Sequence, residues 1–160
     1  MEYDELMKKL GESLGLESFQ PDDDGDYSIQ ADDTVVSFES QPRGGLLDIL
    51  AQVCELPAEG GDRICRVLLT AMAPAAAAEG YGFFIIDADD CLYLRRTVAL
   101  ADLDVEKLRQ SLEKFLNALD EWRASIDDFI QVQSAIDAAL DEQAAEDRTR
   151  AFNADGYLKV

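Results

Sequence analysis

The sequence predicts an α+β protein in which helices flank an antiparallel β-sheet. Three observations predict this class: amphipathic helical stretches near both ends of the chain, groups of short strands between them, and tight turns within each group. Such turns join antiparallel neighbours, whereas parallel strands need longer crossovers. The predicted order is α-βββ-α-ββ(β)-α, which is a helix, three strands, a helix, two or three strands and a long helix.

The N-terminal part of the chain is predicted to be one helix followed by a three-stranded meander. Apolar residues recur at helical spacing up to Leu14, and Gly15 is a typical C-terminal stop. Apolar and polar residues alternate over 27–31, as expected for a half-buried strand. Two further strands are predicted at 34–39 and 46–53, each preceded by a turn sequence.

The middle of the chain is predicted to contain a second helix and a hairpin. Apolar spacing over 64–72 indicates the helix, and Pro74 predicts a kink or an early end near Ala73. Two strands follow at 81–86 and 91–100, and an aspartate-rich turn joins them.

The C-terminal part of the chain is predicted to be helical. A long amphipathic helix begins after an N-cap at Asp102 or Asp104. Helical periodicity then resumes, and the pattern leaves open whether one helix or two are formed. Residues from about Ala144 are predicted to form a polar, frayed tail. The predicted organisation is an α+β domain over 1–126 and a helical extension with a polar tail over 127–160.

Composition narrows the classes of partner. The net charge is −20 and the isoelectric point is about 4.1, so the protein repels nucleic-acid phosphates and anionic membrane surfaces. We therefore predict binding to neither nucleic acid nor membrane. Acidic residues at the N-terminus, where a secretory signal carries basic ones, favour a cytoplasmic protein. The charge either serves solubility alone or also attracts basic partners.

Composition also argues against an enzyme. The chain has no histidine, which removes the commonest general base and metal ligand. Its three cysteines lack metal-site or disulfide spacing, and we expect free thiols: Cys54, Cys65 and Cys91. Two aspartate clusters suggest cation sites only superficially: Asp22, Asp24 and Asp26, and Asp87, Asp89 and Asp90. The first lacks the glycine and glutamate of a calcium loop, and the second suits a turn. We predict no catalytic residue, metal or cofactor.

The apolar pattern of the strands points to a binding function. An antiparallel sheet with one wet face should alternate apolar and polar residues, yet several strands place apolar side chains on both faces. These runs are Val35-Val36, Leu46-Leu47, Ile49-Leu50 and Phe83-Phe84-Ile85-Ile86. Either a partner subunit or a bound polypeptide covers the second face, or the C-terminal helices cover both faces within one chain.

Several stretches together resemble a known family. They are "LMKKLGESLGLESF", "DYSIQADDTVVSFES", "LLDILAQVCELP", "RVLLTAM", "GYGFFIIDADDCLYLRRTVAL" and "LRQSLEKFLNALDEW". Their order, spacing and apolar pattern resemble the class I chaperones of bacterial type III secretion, the Tir chaperone family. The resemblance extends from about Glu2 to Ile126 and leaves the role of the remaining residues open.

The resemblance implies a small, acidic, cytoplasmic homodimer without enzymatic activity, which holds the N-terminal segment of a secreted effector in an extended form. By position, the implied client-binding residues are Leu6, Leu10, Val36, Phe38, Leu47 and Ile49. The implied dimer-interface residues are Val67, Leu68, Met72, Phe83 and Phe84. Two other hypotheses remain open: a regulatory adaptor of the same fold that sequesters a protein partner, and a carboxylate-dependent metal-binding enzyme.

Overall fold

The computed structural model describes the backbone of residues 2–41, 45–58, 60–86 and 90–156, and the side chains in those ranges except 73–78 and 147–156. Its elements confirm the predicted class. In chain order they are α1 (Tyr3–Leu14), β1 (Tyr27–Ala31), β2 (Thr34–Gln41), β3 (Leu46–Glu55), α2 (Gly61–Glu79), β4 (Tyr81–Ile86), β5 (Cys91–Ala99), a short 3-10 helix (Leu100–Asp102) and α3 (Val105–Gly156).

The strands form one five-stranded sheet in the order β1-β2-β3-β5-β4. Every neighbouring pair is antiparallel, so β1 and β4 are the edge strands. The register between β3 and β5 shifts between Gln52 and Cys54, which leaves Val53 without a partner in the β3–β5 register. This bulge marks one end of the central strand.

Alternation along the strands divides the sheet into two faces. We call the first the covered face, because most of its side chains are buried; it includes Val36, Phe38, Leu47, Ile49, Ala51 and Leu94. We call the second the open face. It carries the residues between these positions, among them Val35, Leu50 and Arg95.

Helix α1 lies against the covered face. Its buried side chains are Leu6, Met7 and Leu10, and Tyr3 donates a hydrogen bond of 2.6 Å to the carbonyl of Phe38. The helix ends as predicted at Gly15, whose φ of 70° lies in the left-handed region that glycine tolerates best.

Helix α3 also packs on the covered face. It begins after Asp104, whose carboxylate accepts a hydrogen bond from the backbone N–H of Lys107, so Asp104 is the N-cap. Its buried stripe is Leu108, Leu112, Phe115 and Leu119. From the sheet, Arg96 donates to the carbonyl of Ser111, and the ring of Phe83 lies edge-on to Trp122 at 5.1 Å between centroids.

Two sequence predictions about helix ends need correction. Of the kink or early end predicted near Ala73, the early end is wrong, because α2 continues through Pro74 to Glu79. The alanines after the proline have the highest helix propensity of any residue. The predicted frayed tail from Ala144 is instead helical as far as Gly156 within α3, which is one helix rather than two. By their contacts, residues 1–123 and 124–160 form two separate compact units. The turn at 42–44 and the hairpin tip at 87–89 lie outside the described residues.

Candidate functional site

The open face of the sheet carries a cleft of about 730 Å³. We call it the sheet cleft. Four strands supply most of its lining: Val35, Ser37 and Glu39 from β2, Asp48, Leu50 and Gln52 from β3, Phe84 and Ile86 from β4, and Tyr93 and Arg95 from β5. These positions alternate with the buried ones of the covered face, so the cleft is the second face of the sheet itself.

One half of the sheet cleft is apolar and aromatic. The rings of Phe84 and Tyr93 stack at 5.4 Å between centroids, and the guanidinium of Arg95 lies 5.8 Å from the centre of the Phe84 ring. Val35 on β2 is 54% exposed and Ile86 on β4 is 40% exposed, so both lie on the open face, toward opposite edges of the sheet. A side chain entering the cleft would therefore meet an aromatic wall with apolar rims, which suits apolar and cationic groups.

The other half of the sheet cleft is acidic. Asp48 is only 4% exposed, and its carboxylate accepts hydrogen bonds from Thr97 and Gln41. Glu39 lies opposite Asp48 in the register. Burial raises the pKa of Glu39 above its usual value, and the nearby charges of Asp26 and Asp48 raise it further. A cationic side chain bound beside Glu39 would reduce this repulsion between like charges.

Arg123 closes one end of the sheet cleft and holds the bulge in β3. Its guanidinium donates to the carbonyls of Gln52 at 2.6 Å and Val53 at 3.3 Å, and to the hydroxyl of Thr34 at 2.6 Å. The bulge interrupts the ladder beside those carbonyls, so a forked donor replaces the missing strand partner. This residue connects α3 to the central strand and was not identified from the sequence.

A second depression, of about 680 Å³, lies beside α2. It is lined by Asp62, Cys65, Arg66, Leu69, Thr70 and Ile85. Leu69 is 69% exposed and Ile85 is 41% exposed, so apolar side chains of both α2 and β4 face solvent here. We call this surface the α2 depression.

The six residues predicted to bind a client do not lie on a surface. Leu6, Leu10, Val36, Phe38, Leu47 and Ile49 are all 0% exposed. They belong to α1 and the covered face of the sheet and pack against one another. In the single chain these side chains are therefore not exposed, and their contact with a client stays a prediction. Periodicity locates an apolar face but does not distinguish a face covered by the chain's own helices from one left open.

The five residues predicted at a dimer interface differ in exposure and in the side chains that they contact. Leu68 and Met72 are 5% exposed and point inward, whereas Val67 is 43% exposed. Phe83 packs on Trp122, and Phe84 stacks on Tyr93 in the sheet cleft. Nothing in a single chain tests the interface, which stays a prediction.

Sequence reasoning did not identify Leu69, Tyr93 or Arg95 as surface residues of interest. A usable signal existed for Leu69: the helical stripe of α2 uses Leu68, which leaves the adjacent leucine off the stripe and directed to solvent. For Tyr93 and Arg95 the signal was strand alternation with Leu92 and Leu94, which are buried.

Two further features of the described ranges concern metal ions and membranes. There, no three acidic, cysteine or histidine side chains lie close enough to hold a metal ion. Among the helices as described, none has both the length and the apolarity needed to cross a bilayer. Within the described residues no disulfide joins Cys54, Cys65 or Cys91.

The fold and its uncovered sheet face define a class of protein: a small α+β binding module. Residues 5–123 match the model of the Tir chaperone protein (CesT) family, and this span is most of the chain. The protein therefore belongs to the Tir chaperone (CesT) family, a family of type III secretion chaperones. Among curated proteins, none matches the sequence at a significant level.

Solved structures share the fold at low sequence identity. The chaperone–effector complex of HopA1 and SchA contains a chain that is 16% identical, with a TM-score of 0.63, covering 76% of this chain and 93% of that one. A chain of the ExsC–ExsE complex is 20% identical, with a TM-score of 0.65, covering 76% of this chain and 90% of that one. The structure of the Yersinia pestis type III secretion chaperone SycH, in complex with a stable fragment of YscM2, contains a chain that is 18% identical. Its TM-score is 0.55, and the match covers 76% of this chain and 99% of that one.

Proposed function

We propose that the protein is a homodimeric cytoplasmic chaperone that binds the N-terminal segment of a type III secretion effector and keeps it competent for secretion. The observation that carries this proposal is the sheet cleft, an uncovered sheet face with aromatic walls and exposed apolar rims. Family membership supports it, as do two relatives of the same fold, which were solved in complexes with an effector and with a YscM2 fragment.

The proposed mechanism is physical and involves no catalytic step or cofactor. Apolar client side chains would pack on Leu50, Phe84 and Tyr93, and a basic client side chain would lie beside Glu39. The edge strands β1 and β4 could each add a client strand through backbone hydrogen bonds. Many shallow contacts would offset the entropy lost when an extended client becomes ordered.

The client contact is tested with substitutions on the rims of the sheet cleft. Affinity purification of the full chain from secretion-induced cells, followed by mass spectrometry, should recover a secreted protein. Its N-terminal fragment should then bind Val35→Asp/Ile86→Asp at least about tenfold more weakly than wild type, because charged groups replace two apolar contacts. Both residues are largely exposed, so the fold should persist.

Leu14→Asp/Leu16→Asp is the matched control for the client contact. Leu14 ends α1 and is 38% exposed, Leu16 follows it and is 40% exposed, and neither lines the cleft. This control also introduces two aspartates and should leave the affinity within about twofold. Unchanged affinity in Val35→Asp/Ile86→Asp, or an equal loss in the control, would contradict binding in the sheet cleft.

The homodimer is proposed to use the α2 depression. Light scattering should give a mass about twice the 17.7 kDa of one chain. Leu69 and Val67 lie two positions apart, roughly 160° around the helix, so they sample opposite flanks of α2. Leu69→Glu should produce monomers, because it places a charge in an apolar contact. Val67 belongs to the predicted interface and Leu69 lines the α2 depression, so this pair of variants decides which flank of α2 forms the contact. Leu16→Glu, at an exposed site outside α2, should leave the dimer intact.

Two outcomes would refute parts of the dimer proposal. A wild-type protein that is monomeric at micromolar concentration would refute the homodimer. Monomers from Val67→Glu but not from Leu69→Glu would move the interface to the other flank of α2. Neither outcome would affect the client-binding test.

A further inference from the structure

The helical segment 124–146 carries an uncovered apolar stripe. Its members are Phe129, Val132, Ile136 and Leu140, and we call it the C-terminal stripe. Val132 is 60% exposed, Ile136 is 49% exposed and Leu140 is 63% exposed. The segment lies beyond residues 5–123, which match the family model, so family membership assigns no role to it.

The spacing of the stripe is typical of a helix that packs against another helix. Three of its members, Phe129, Ile136 and Leu140, fall on one seam with Ile126 and Gln133, and Val132 lies beside that seam. Residues of the seam follow one another at alternating intervals of three and four. This is the a and d pattern of a coiled-coil seam, with one polar residue, Gln133. Such a helix gains most of its stability by burying its apolar face, and this one leaves much of that face in water.

Acidic residues border the stripe on both sides. From 124 to 146 the chain has six acidic residues and no basic one: Asp127, Asp128, Asp137, Asp141, Glu142 and Glu146. With about 100° of rotation per residue, Asp137 and Asp141 lie along one margin of the stripe, and Asp128 and Glu146 lie along the other. None of the salt bridges found in the described residues involves this segment.

We propose that the C-terminal stripe docks a basic amphipathic helix of another polypeptide. The apolar face of that helix would cover Phe129, Ile136 and Leu140, and its lysine or arginine side chains would meet the acidic margins. A second copy of this chain fits less well, because it would bring six more negative charges beside the first six within about one Debye length.

The test uses the full chain and a designed probe. The probe is a peptide of about three heptads with leucine at a and d and lysine at e and g. A second peptide carries glutamate in place of every lysine. Fluorescence anisotropy should show binding of the lysine peptide only. Affinity should fall at least about tenfold when sodium chloride rises from about 0.05 to 0.5 M.

Substitutions separate the stripe from general attraction to an acidic protein. Ile136→Gln/Leu140→Gln keeps the charge and the helix propensity but removes two apolar contacts, and should weaken binding at least about tenfold. Ser134→Gln/Ala138→Gln alters exposed positions on the opposite side of the helix and should remain within about twofold of wild type.

Three results would overturn the proposal. They are equal binding of both peptides, equal binding by both double variants, and self-association of the wild-type chain that Ile136→Gln/Leu140→Gln abolishes. The last result would make a second copy the occupant of the stripe.

Discussion

Arg123 should be the most important single polar side chain for the stability of the sheet. Its three hydrogen bonds satisfy the carbonyls of Gln52 and Val53 beside the bulge and the hydroxyl of the buried Thr34. Arg123→Met retains much of the aliphatic stem but removes every donor. A hydrogen bond from a charged donor contributes about 1.5–3 kcal/mol, and solvent can partly replace donors at this half-buried site. We therefore expect a loss of about 3 kcal/mol in the free energy of unfolding.

The assay is urea unfolding followed by the fluorescence of Trp122, the single tryptophan, which lies next to Arg123 in sequence. For a chain of this length the loss corresponds to a decrease of roughly 10 °C in the melting temperature. Arg123→Lys should lose about half as much. Its ammonium group keeps a charged donor, but it lacks the planar fork that reaches two carbonyls and a hydroxyl at once.

Arg109→Met is the matched control for the change in net charge. Arg109 is 51% exposed and pairs with Glu106, three residues earlier on the same helix. Because both partners are exposed to solvent, its removal should leave the free energy of unfolding unchanged within the margin of error of the measurement. If Arg123→Met also fell within that margin, the idea that a guanidinium fork supports the bulge would be refuted.

Three further predictions test packing and charge. Gly11→Ala would place Cβ 2.9 Å from the Cβ of Phe19 and should lose about 1–3 kcal/mol in chemical denaturation; Gly82→Ala meets nothing within 4 Å and should be near neutral. Phe38→Asp should abolish cooperative unfolding, because it buries a charge at a site that is 0% exposed; a folded variant would disprove that Phe38 is core. The pKa of Glu39 is raised in the folded state above the usual 4.5, so the folded state binds the proton of Glu39 more tightly than the unfolded state does. The contribution of Glu39 to the free energy of unfolding therefore falls as pH rises past 4.5. Glu39→Gln should thus be more stable than wild type at pH 7 and equal to it near pH 4, in paired denaturation curves.

Local chemistry accounts for the elements that were predicted well. Gly15 ends α1 because few other residues adopt its φ of 70° without strain. The alternation of 27–31 and the spacing of the buried stripe of α3 each report one half-buried face. Asp104 was one of two candidate caps, and the hydrogen bond that its carboxylate accepts from the backbone N–H of Lys107 identifies it as the cap.

Tertiary context explains what the sequence left undecided. Val35 and Val36 are identical in type and adjacent, yet one is 54% exposed and the other 0%. Which valine faces α1 depends on the pairing of β2 with β3, a long-range property that periodicity does not contain. Asp48 is polar but buried, because Thr97 and Gln41 from neighbouring strands satisfy its oxygens. The bulge and its arginine likewise come from distant segments that meet only in the fold.

The strand order has a consequence for biosynthesis. β3 lies at the middle of the sheet, yet its second neighbour, β5, comes later in the chain than α2 and β4; Leu46, for example, pairs with Ala99. Contacts this far apart slow folding, because a long loop must close before they form. During translation the β1–β3 meander can assemble early, but the apolar side chains of its covered face stay exposed until α3 has been synthesised. A nascent chain released before about residue 123 would expose that surface and should aggregate.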